Sequence, residues 1–344
     1  MKIQDPNLEE WRALYEAAAA VWDLAPWTFM EETEIFGVEN PETGDLGFAS
    51  VMGTLGDHYA VAVYLGGRGL HDFWQLESLG DSMRPEDVLM TPQLQASFEE
   101  PATLDEGDLD IIARLQLDLQ GQRRWPQFRS YQPGYFPGPV SAVEARFLTL
   151  VLQQLVEMAP RIKSDPDILV PEEADSYLVR VRKVKGEGRV WHDEIRPAPE
   201  HVPPTLAIGI DSNLMDTVRG LPQRDVQLEV DLFLLPFGVG EPSDRAVTPY
   251  NLGVVDSRSG YALGFELLST EPSVEAMYER IPAVFVSLLA KNNLRPNLVV
   301  SSRQVLLHLL APPAQHLKIE LAYSPVLPTL DPIKKDLIQH LRKQ

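Results

Sequence analysis

The 344-residue chain contains no cysteine. Disulfide bonds, thiolate nucleophiles, zinc ribbons and iron–sulfur clusters are therefore excluded, and a chain without cysteine is typical of a cytoplasmic protein. Long hydrophobic runs are absent as well, since the apolar stretch from Ala17 to Val21 is short and lies between Glu16 and Asp23. We expect a cytoplasmic protein without a signal peptide, a membrane-spanning segment or a membrane partner.

Positive charge is scarce in this chain. It has 30 lysines and arginines against 50 aspartates and glutamates, which gives a net charge of -20 and an isoelectric point near 4.7. Such a surface repels phosphate backbones, and counterion release cannot drive nucleic-acid binding without a local basic patch. We therefore expect the partner to be an unidentified protein or small molecule, and not a nucleic acid.

Motifs with an established catalytic or cofactor-binding mechanism are lacking. The chain has no Gly-x-Ser-x-Gly elbow and no Gly-Lys-Ser/Thr phosphate loop. Gly66-Gly-Arg-Gly69 could cradle an anion between a strand and a helix, but a turn that needs a flexible backbone is the favoured interpretation. His192-Asp-Glu194 alternates along a strand and does not form a metal site. The sequence predicts no metal and no cofactor, and it favours a non-catalytic binding or protein-interaction protein.

One turn motif is written twice in the sequence. Phe36-Gly-Val-Glu-Asn-Pro-Glu-Thr-Gly44 and Leu252-Gly-Val-Val-Asp-Ser-Arg-Ser-Gly260 each predict a β-hairpin. The asparagine or aspartate that begins each turn can accept hydrogen bonds from the turn backbone, and the glycine that ends it can adopt a positive φ. The recurrence predicts two domains, each built on a mixed sheet that is entered through such a hairpin.

Apolar periodicity predicts the other elements of the two domains. His58 to Leu65 is apolar on both faces, as in a central strand that is covered from both sides. Residues 226–232 alternate between apolar and polar, which predicts a half-buried strand. The predicted fold is α/β or α+β, with a mixed β-sheet flanked by helices in each domain. The predicted divisions are an N-terminal α+β domain over residues 1–162, a linker over residues 163–174 and a C-terminal α/β domain over residues 175–344.

An aromatic and proline-rich loop, Tyr131-Gln-Pro-Gly-Tyr-Phe-Pro-Gly-Pro139, precedes a predicted long helix. Functional residues gather on rigid loops, and exposed aromatic side chains bind partners. Tyr131, Tyr135 and Phe136 are therefore candidate partner-binding residues. The alternative, which the frequent burial of aromatic rings favours, is that they close the core of the domain.

Several of these segments together resemble known families. The Val-Glu-Asn-Pro-Glu-Thr-Gly hairpin, with Trp125-Pro-x-Phe128 and Pro133-Gly-Tyr-Phe-Pro137, resembles an uncharacterised bacterial domain family. The second half, from Tyr250 to the C-terminus, resembles another such family that is found alongside it. The resemblances cover most of the chain and imply a two-domain protein of unknown function. Neither implies an activity or a catalytic residue.

A further resemblance concerns the layout of the second half. Glu229-Val-Asp-Leu-Phe-Leu-Leu-Pro236, the second hairpin, a helix and Arg295-Pro-x-Leu-Val-Val-Ser-Ser302 are similar in order and spacing to the RNase H-like core of integrases and transposases. The resemblance implies an RNase H-like fold and matches Asp231 to the first catalytic acid of that family. A serine pair stands where the second acid is expected, although two-metal chemistry needs clustered carboxylates. A hydrolase or nuclease-like enzyme that uses Asp231 is therefore the alternative to the non-catalytic protein.

Overall fold

The computed structural model describes residues 4–56, 58–119, 124–185, 188–240 and 245–341. It divides the chain into two compact units. Unit 1 consists of Met1–Gln132 and Pro137–Val202, and unit 2 of Pro133–Phe136 and Pro203–Gln344. Each unit has a mixed β-sheet with helices packed on it, which confirms the predicted fold class. No helix among the described residues has the length and apolar character that crossing a bilayer requires.

Unit 1 is built on a sheet with the strand order β5-β4-β3-β2-β1-β6-β7. The strands are β1 (Phe36–Glu39), β2 (Leu46–Met52), β3 (Tyr59–Leu65), β4 (Gln93–Glu99), β5 (Trp125–Tyr131), β6 (Ser176–Lys185) and β7 (Gly188–Pro197). The helices are α1 (Leu8–Leu24), α2 (Gly66–Leu79), α3 (Pro85–Leu89), α4 (Glu106–Leu115) and α5 (Ala142–Ser164). Neighbouring strands are antiparallel except β1 and β6, which are parallel.

The core of unit 1 lies on both faces of this sheet. On one face, α1 and α5 pack together and cover Val61 and Val63 of β3. On the other face, Ala62 and Tyr64 of the same strand pack with Phe73 of α2. The prediction of a central strand that is covered from both sides is therefore confirmed for β3, because apolar residues at every position can be buried only between two layers.

The division into units differs from the predicted domain boundary. The prediction assigned β6 and β7 to the second domain, but β6 pairs in parallel with β1, with Gly37 opposite Val179. Residues 163–174 therefore lie inside unit 1, where they contain the end of α5 and lead into β6. The physical reason is that β1 needs a hydrogen-bonding neighbour on its second side, and β6 supplies it. The composition of the connecting segment carries no information about this pairing.

Unit 2 is built on a second sheet with the strand order β10-β9-β8-β11-β12. The strands are β8 (Gln227–Leu234), β9 (Pro249–Asp256), β10 (Ala262–Ser269), β11 (Leu298–Ser301) and β12 (Glu320–Tyr323). The helices are α6 (Ser212–Gly220), α7 (Val274–Lys291), α8 (Gln304–Leu317) and α9 (Leu330–Leu341). Strands β8, β9 and β10 are antiparallel neighbours, whereas β11 is parallel to both β8 and β12.

Strand β8 is buried more completely than its alternating sequence predicts. Glu229 and Asp231 should face water in a half-buried strand, yet they are only 1% and 0% exposed. Helix α9 covers this face, where Leu330 packs with Val255 and Val300. The prediction of a half-buried strand was therefore wrong, because groups far along the chain satisfy both carboxylates. Backbone N–H groups at the start of α9 donate to Glu229, and the side chains of Arg303 and Lys334 donate to Asp231.

The two turns predicted from the repeated motif have the same hydrogen-bond pattern. In the first, Asn40 Oδ1 accepts from the Glu42 backbone N–H at 2.9 Å, and Gly44 has a φ of 81°. In the second, Asp256 Oδ1 accepts from the Arg258 N–H at 2.8 Å, and Gly260 has a φ of 71°. In each sheet, one of the hairpins is therefore closed by a turn with the same hydrogen bonds and a glycine of positive φ, as the sequence predicted.

Candidate functional site

A cleft of about 330 Å³ opens at one end of the sheet of unit 1. Strands β1 and β3 are both antiparallel to β2, so their C-terminal ends lie at the same end of the sheet. The first hairpin turn, the junction between β3 and α2, and the first turns of α5 meet there. We name this cleft the hairpin cleft. Its lining residues are Asn40, Thr43, Asp45, Leu46, Leu65, Gly66, Leu94, Val143, Glu144 and Phe147.

The floor of the hairpin cleft is apolar and firmly packed. Leu94 is buried in the core of the unit, and Phe147 of α5 packs over β2. A Cβ atom at Gly47 would lie 2.8 Å from the Phe147 ring, so this glycine lets the ring approach the strand. Val143, in the first turn of α5, lines the cleft and remains 45% exposed. The cleft therefore combines a rigid floor with one apolar side chain that is accessible to solvent.

The hairpin turn places polar groups in the lining of the cleft. Asn40 is the anchor of this turn: its backbone N–H donates to the Asp45 carbonyl oxygen at 2.8 Å, and its own carbonyl oxygen accepts from the Gly44 N–H at 2.8 Å. Thr43 and Asp45 therefore have fixed backbone positions. Because an asparagine turn with a left-handed glycine is locally determined, this part of the site forms from the sequence of the turn itself.

The glycine run at the start of α2 has two separate structural roles. Gly66 has a φ of 63°, and a Cβ atom there would meet no atom within 4 Å, so this position keeps the cleft open. A Cβ atom at Gly67 would lie only 2.4 Å from the carbonyl oxygen of Glu200. The run therefore serves turn geometry and close backbone packing, as the favoured interpretation of the sequence held.

The charged side chains that line the hairpin cleft are both carboxylates. Asp45 is exposed, and within the described residues its carboxylate has no hydrogen bond or ion pair. Glu144 is more tightly held, since its Oε2 accepts from the Ser141 backbone N–H and its Oε1 from Ser130 Oγ, both at 2.7 Å. The lining therefore carries two negative charges and, among the described residues, no positive one.

A nearby arginine does not neutralise these carboxylates. Arg146 Nε donates to Glu42 Oε1 at 2.7 Å, and Arg146 Nη1 donates to Glu10 Oε1 at 2.6 Å. The hydrogen bond from Arg146 holds the pKa of Glu42 below its ordinary value, with burial acting weakly in the opposite sense. The cation is therefore engaged by two other acids, and Arg146 is not a lining residue of the cleft.

A second cleft of unit 1, of about 230 Å³, lies between α1 and the start of β5. Its walls are aromatic and include Tyr15 and Trp22. Its lining combines the cation of Arg124 with the carboxylates of Glu16 and Asp23. Because both signs of charge are present, its electrostatics do not favour one class of ligand.

The three aromatic residues predicted to bind a partner are placed in two different units. The Tyr131 hydroxyl donates to Gln95 Oε1 at 2.9 Å, and burial raises the pKa of Tyr131. Tyr135 forms a bridge with Val247 in unit 2, and the Phe136 N–H donates to the Ala246 carbonyl oxygen at 2.9 Å. All three side chains are half-buried. The structure thus gives each of them contacts within its own unit, and their role in binding a partner stays a prediction.

Asp231 lies on β8 in the centre of the sheet of unit 2. Its Oδ1 accepts from Arg303 Nε at 3.1 Å, and its Oδ2 accepts from Lys334 Nζ at 2.8 Å. Burial alone would lower the pKa of Lys334, but the nearby charge of Asp231 and its hydrogen bonds more than offset this, so the pKa is raised. Two cations therefore balance one fully buried carboxylate.

The surroundings of Asp231 differ from a metal centre. Asp331 is close, but its Oδ1 contacts Lys334 Nζ at 3.0 Å, so an ammonium group stands between the two acids. Ser301 and Ser302 are buried and bring no charge. In the part of the chain that the structure describes, no group of three or more histidine, aspartate and glutamate side chains is arranged to hold a metal ion.

Comparisons with family models cover most of the chain. Residues 11–180 match a domain of unknown function (DUF7309), and residues 214–338 match another domain of unknown function (DUF6930). The chain carries two domains of unknown function in tandem. The resemblance of its halves to two uncharacterised families is thereby confirmed. The DUF7309 match contains the hairpin cleft, and the DUF6930 match contains Asp231. No curated protein matches the chain.

The sequence contains the parts of the hairpin cleft without revealing that they meet. In the DUF7309 domain, the turn at 40–45 and the capping box of Ser141 and Glu144 are local structural signals. The usable signal was the meander itself: three consecutive antiparallel strands bring the first turn and the end of the third strand to one edge. The position of α5 at that edge is set by packing over a long sequence separation, and no local pattern encodes it.

Proposed function

We propose that this protein is a non-catalytic binding protein of the cytoplasm and that the hairpin cleft is its ligand site. The observation that carries the proposal is the construction of the cleft, with an apolar floor and a few fixed polar groups. Ligand sites are usually concave, mostly apolar and about 300 to 1,000 Å³ in volume, and the hairpin cleft is at the small end of this range. The cysteine-free composition supports a cytoplasmic location.

The environment of Asp231 supports the non-catalytic part of the proposal. A nuclease-like enzyme needs this carboxylate free to coordinate metal ions together with further acids. Here Arg303 and Lys334 take up both of its oxygens. We propose that unit 2 keeps an RNase H-like layout without its chemistry. Two features support the layout. In the sheet, β8 lies between β9 and β11, and in the sequence the β9–β10 hairpin and α7 lie between β8 and β11.

The binding proposal is tested with a library of small fragments of about ten heavy atoms, observed by ligand NMR against the full chain. We expect several fragments to bind and to lose binding in the Val143→Phe variant, whose larger side chain fills the mouth of the cleft. Val143 is 45% exposed, so the substitution leaves the core unchanged. Val170→Phe, at a 71% exposed position outside the cleft, is the matched control. Equal binding to both variants would overturn the proposal.

The enzymatic alternative has its own test. Single-stranded and double-stranded DNA and RNA are incubated with the protein and Mg²⁺ or Mn²⁺. We expect no cleavage above that of the Asp231→Asn variant, because the wild-type carboxylate is already paired with two cations. Metal-dependent cleavage by the wild type that disappears in Asp231→Asn would establish the nuclease-like alternative instead.

A further inference from the structure

We propose that the hairpin cleft selects a small organic cation, namely an ammonium or guanidinium group carried on an apolar body. The proposal rests on the proposed function, since it names the class of ligand for the same cleft. It follows from the charges of the lining, from the hydrogen-bonding groups that are already occupied, and from the shape of the apolar floor.

The charges of the cleft favour a positive ligand. Asp45 presents an exposed carboxylate that has no partner among the described residues, and Glu144 adds a second negative charge. Arg146, two residues after Glu144 in α5, is bound to Glu42 and Glu10. An ammonium or guanidinium group donates charge-assisted hydrogen bonds to carboxylates, and these are about twice as strong as neutral ones.

The start of α5 offers little to an anion, although helix N-termini often bind anions. The Ala142 N–H donates to the Gln4 carbonyl oxygen at 2.8 Å, and the Ala145 N–H to the Ser141 carbonyl oxygen at 2.8 Å. The Glu144 N–H donates to Ser141 Oγ at 3.3 Å. These donors are occupied within the protein. A negatively charged ligand would therefore meet two carboxylates and could not bond to these three donors.

The floor of the cleft defines the rest of the ligand. Leu65, Leu94 and Phe147 form an apolar surface, and the space beside Gly66 is empty to beyond 4 Å from an added Cβ atom. A ring or a short branched chain can lie on this surface while its charged group reaches Asp45 at the mouth. A body of about ten heavy atoms suits this volume, and its affinity is expected to be modest, with a Kd of about 1 mM or somewhat tighter.

Three probes of the same shape test the proposal by chemical-shift titration of the full chain: phenethylamine, 2-phenylethanol and phenylacetate. We expect phenethylamine to bind at least about fivefold more tightly than 2-phenylethanol, because a charge pair near a protein surface contributes about 1 kcal/mol or more. Phenylacetate should bind more weakly than the alcohol. Raising the salt concentration should weaken the binding of phenethylamine and leave the binding of 2-phenylethanol unchanged.

Two variants separate the charge from the cavity. Asp45→Asn should reduce phenethylamine binding about threefold or more, towards the level of 2-phenylethanol, and leave the alcohol unaffected. Asp167→Asn, an exposed aspartate of the same unit outside the cleft, is the matched control. Val143→Phe should abolish binding of both probes, because it fills the space that the ring needs.

The outcomes distinguish the two proposals. If the three probes bind equally and Val143→Phe abolishes all binding, the cleft is a ligand site and the preference for a cation is wrong. If the Asp45→Asn variant still prefers the amine, Asp45 is not the group that recognises the cation, and the proposal is overturned as well. If no probe binds, or if binding survives Val143→Phe, the cleft itself is not the site and both proposals fail.

Discussion

The Nζ atom of Lys334 lies 2.8 Å from Oδ2 of Asp231, a carboxylate with no exposed surface. Lys334 belongs to α9, and Asp231 lies at the centre of the sheet, 103 residues earlier in the chain. Removing a charge from water costs several kcal/mol unless a partner compensates it. The contact therefore makes α9 a necessary partner of β8, because Lys334 of α9 compensates the charge that β8 buries.

The first prediction concerns this ion pair. Lys334→Met should lower the free energy of unfolding by about 2 to 4 kcal/mol, because Asp231 then keeps only Arg303 as a cationic partner. Urea denaturation followed by circular dichroism measures the change. Lys335→Met, at an exposed position of the same helix, should change the stability by less than about 0.5 kcal/mol. Equal effects of the two substitutions would show that the ion pair contributes little.

The second prediction concerns the beginning of α9. Glu229 Oε2 accepts from the backbone N–H groups of Thr329 at 3.0 Å and Leu330 at 2.8 Å. Glu229→Gln removes the negative charge from this helix N-terminus, which costs about 1 kcal/mol. Hydrogen exchange in α9 should accelerate about fivefold while β8 changes less. Glu266→Gln, at the sheet edge, should leave α9 unchanged, and acceleration by both variants would contradict the prediction.

The third prediction concerns pH and unit 1. Asp108 Oδ1 accepts from Arg129 Nη1 at 2.8 Å, and its Oδ2 accepts from Gln127 Nε2 at 2.9 Å. Burial would raise the pKa of Asp108, but the hydrogen bonds and the charge of Arg129 more than offset it, so the pKa lies below its ordinary value. A lowered carboxyl pKa stabilises the fold above the unfolded pKa, and this contribution is lost as the pH falls through the folded pKa.

Asp108→Asn should therefore destabilise unit 1 at pH 7, by about 2 kcal/mol. The variant should also lose less stability than the wild type between about pH 5 and pH 3, because the titrating group is gone. Denaturation at a series of pH values measures both effects. Asp110→Asn is the control on the same helix, since its pair with Arg114 is largely exposed and contributes little. Parallel pH profiles of Asp108→Asn and the wild type would contradict the assignment.

The fourth prediction concerns the repeated turn. Gly44→Ala and Gly260→Ala should each destabilise by about 1 kcal/mol, because both residues have positive φ but open space around the added methyl group. Gly67→Ala should cost more, since its Cβ would meet the Glu200 carbonyl oxygen. Gly209→Ala, with open space and no positive φ, should not destabilise. Thermal denaturation measures the series, and an equal loss at all four glycines would be inconsistent with this explanation.

Local chemistry made the turns and the central strand predictable from the sequence. Asn40 and Gly44 determine their turn through contacts within five residues, and the uninterrupted apolar run of β3 indicates burial on both faces. The same reasoning gave a wrong prediction for β8, because Glu229 and Asp231 have the polar character that is expected of a solvent-exposed face. Their partners are a helix N-terminus and a lysine about a hundred residues later. Periodicity cannot detect compensation over such distances.

The hairpin cleft and the unit boundary could not be predicted from the sequence for a related reason. The turn, Gly66 and Glu144 are separate local signals, and only the packing of α5 over the sheet brings them to one opening. The pairing of β6 with β1 likewise joins residues on either side of α5. A linker-like composition indicates a flexible segment, but it does not indicate which strand still lacks a hydrogen-bonding neighbour.

The tetrapeptide Pro133–Phe136 belongs to unit 2, although the residues before and after it belong to unit 1. Its Gly134 carbonyl oxygen accepts from the Thr248 N–H at 2.9 Å. During synthesis on the ribosome, this segment emerges long before its hydrogen-bonding partners exist, and it must wait for them. A recombinant or proteolytic product that starts at Pro203 lacks it altogether. No single cut in the polypeptide can release both units complete, so a deletion study that assumes two consecutive halves would remove this segment from the second one.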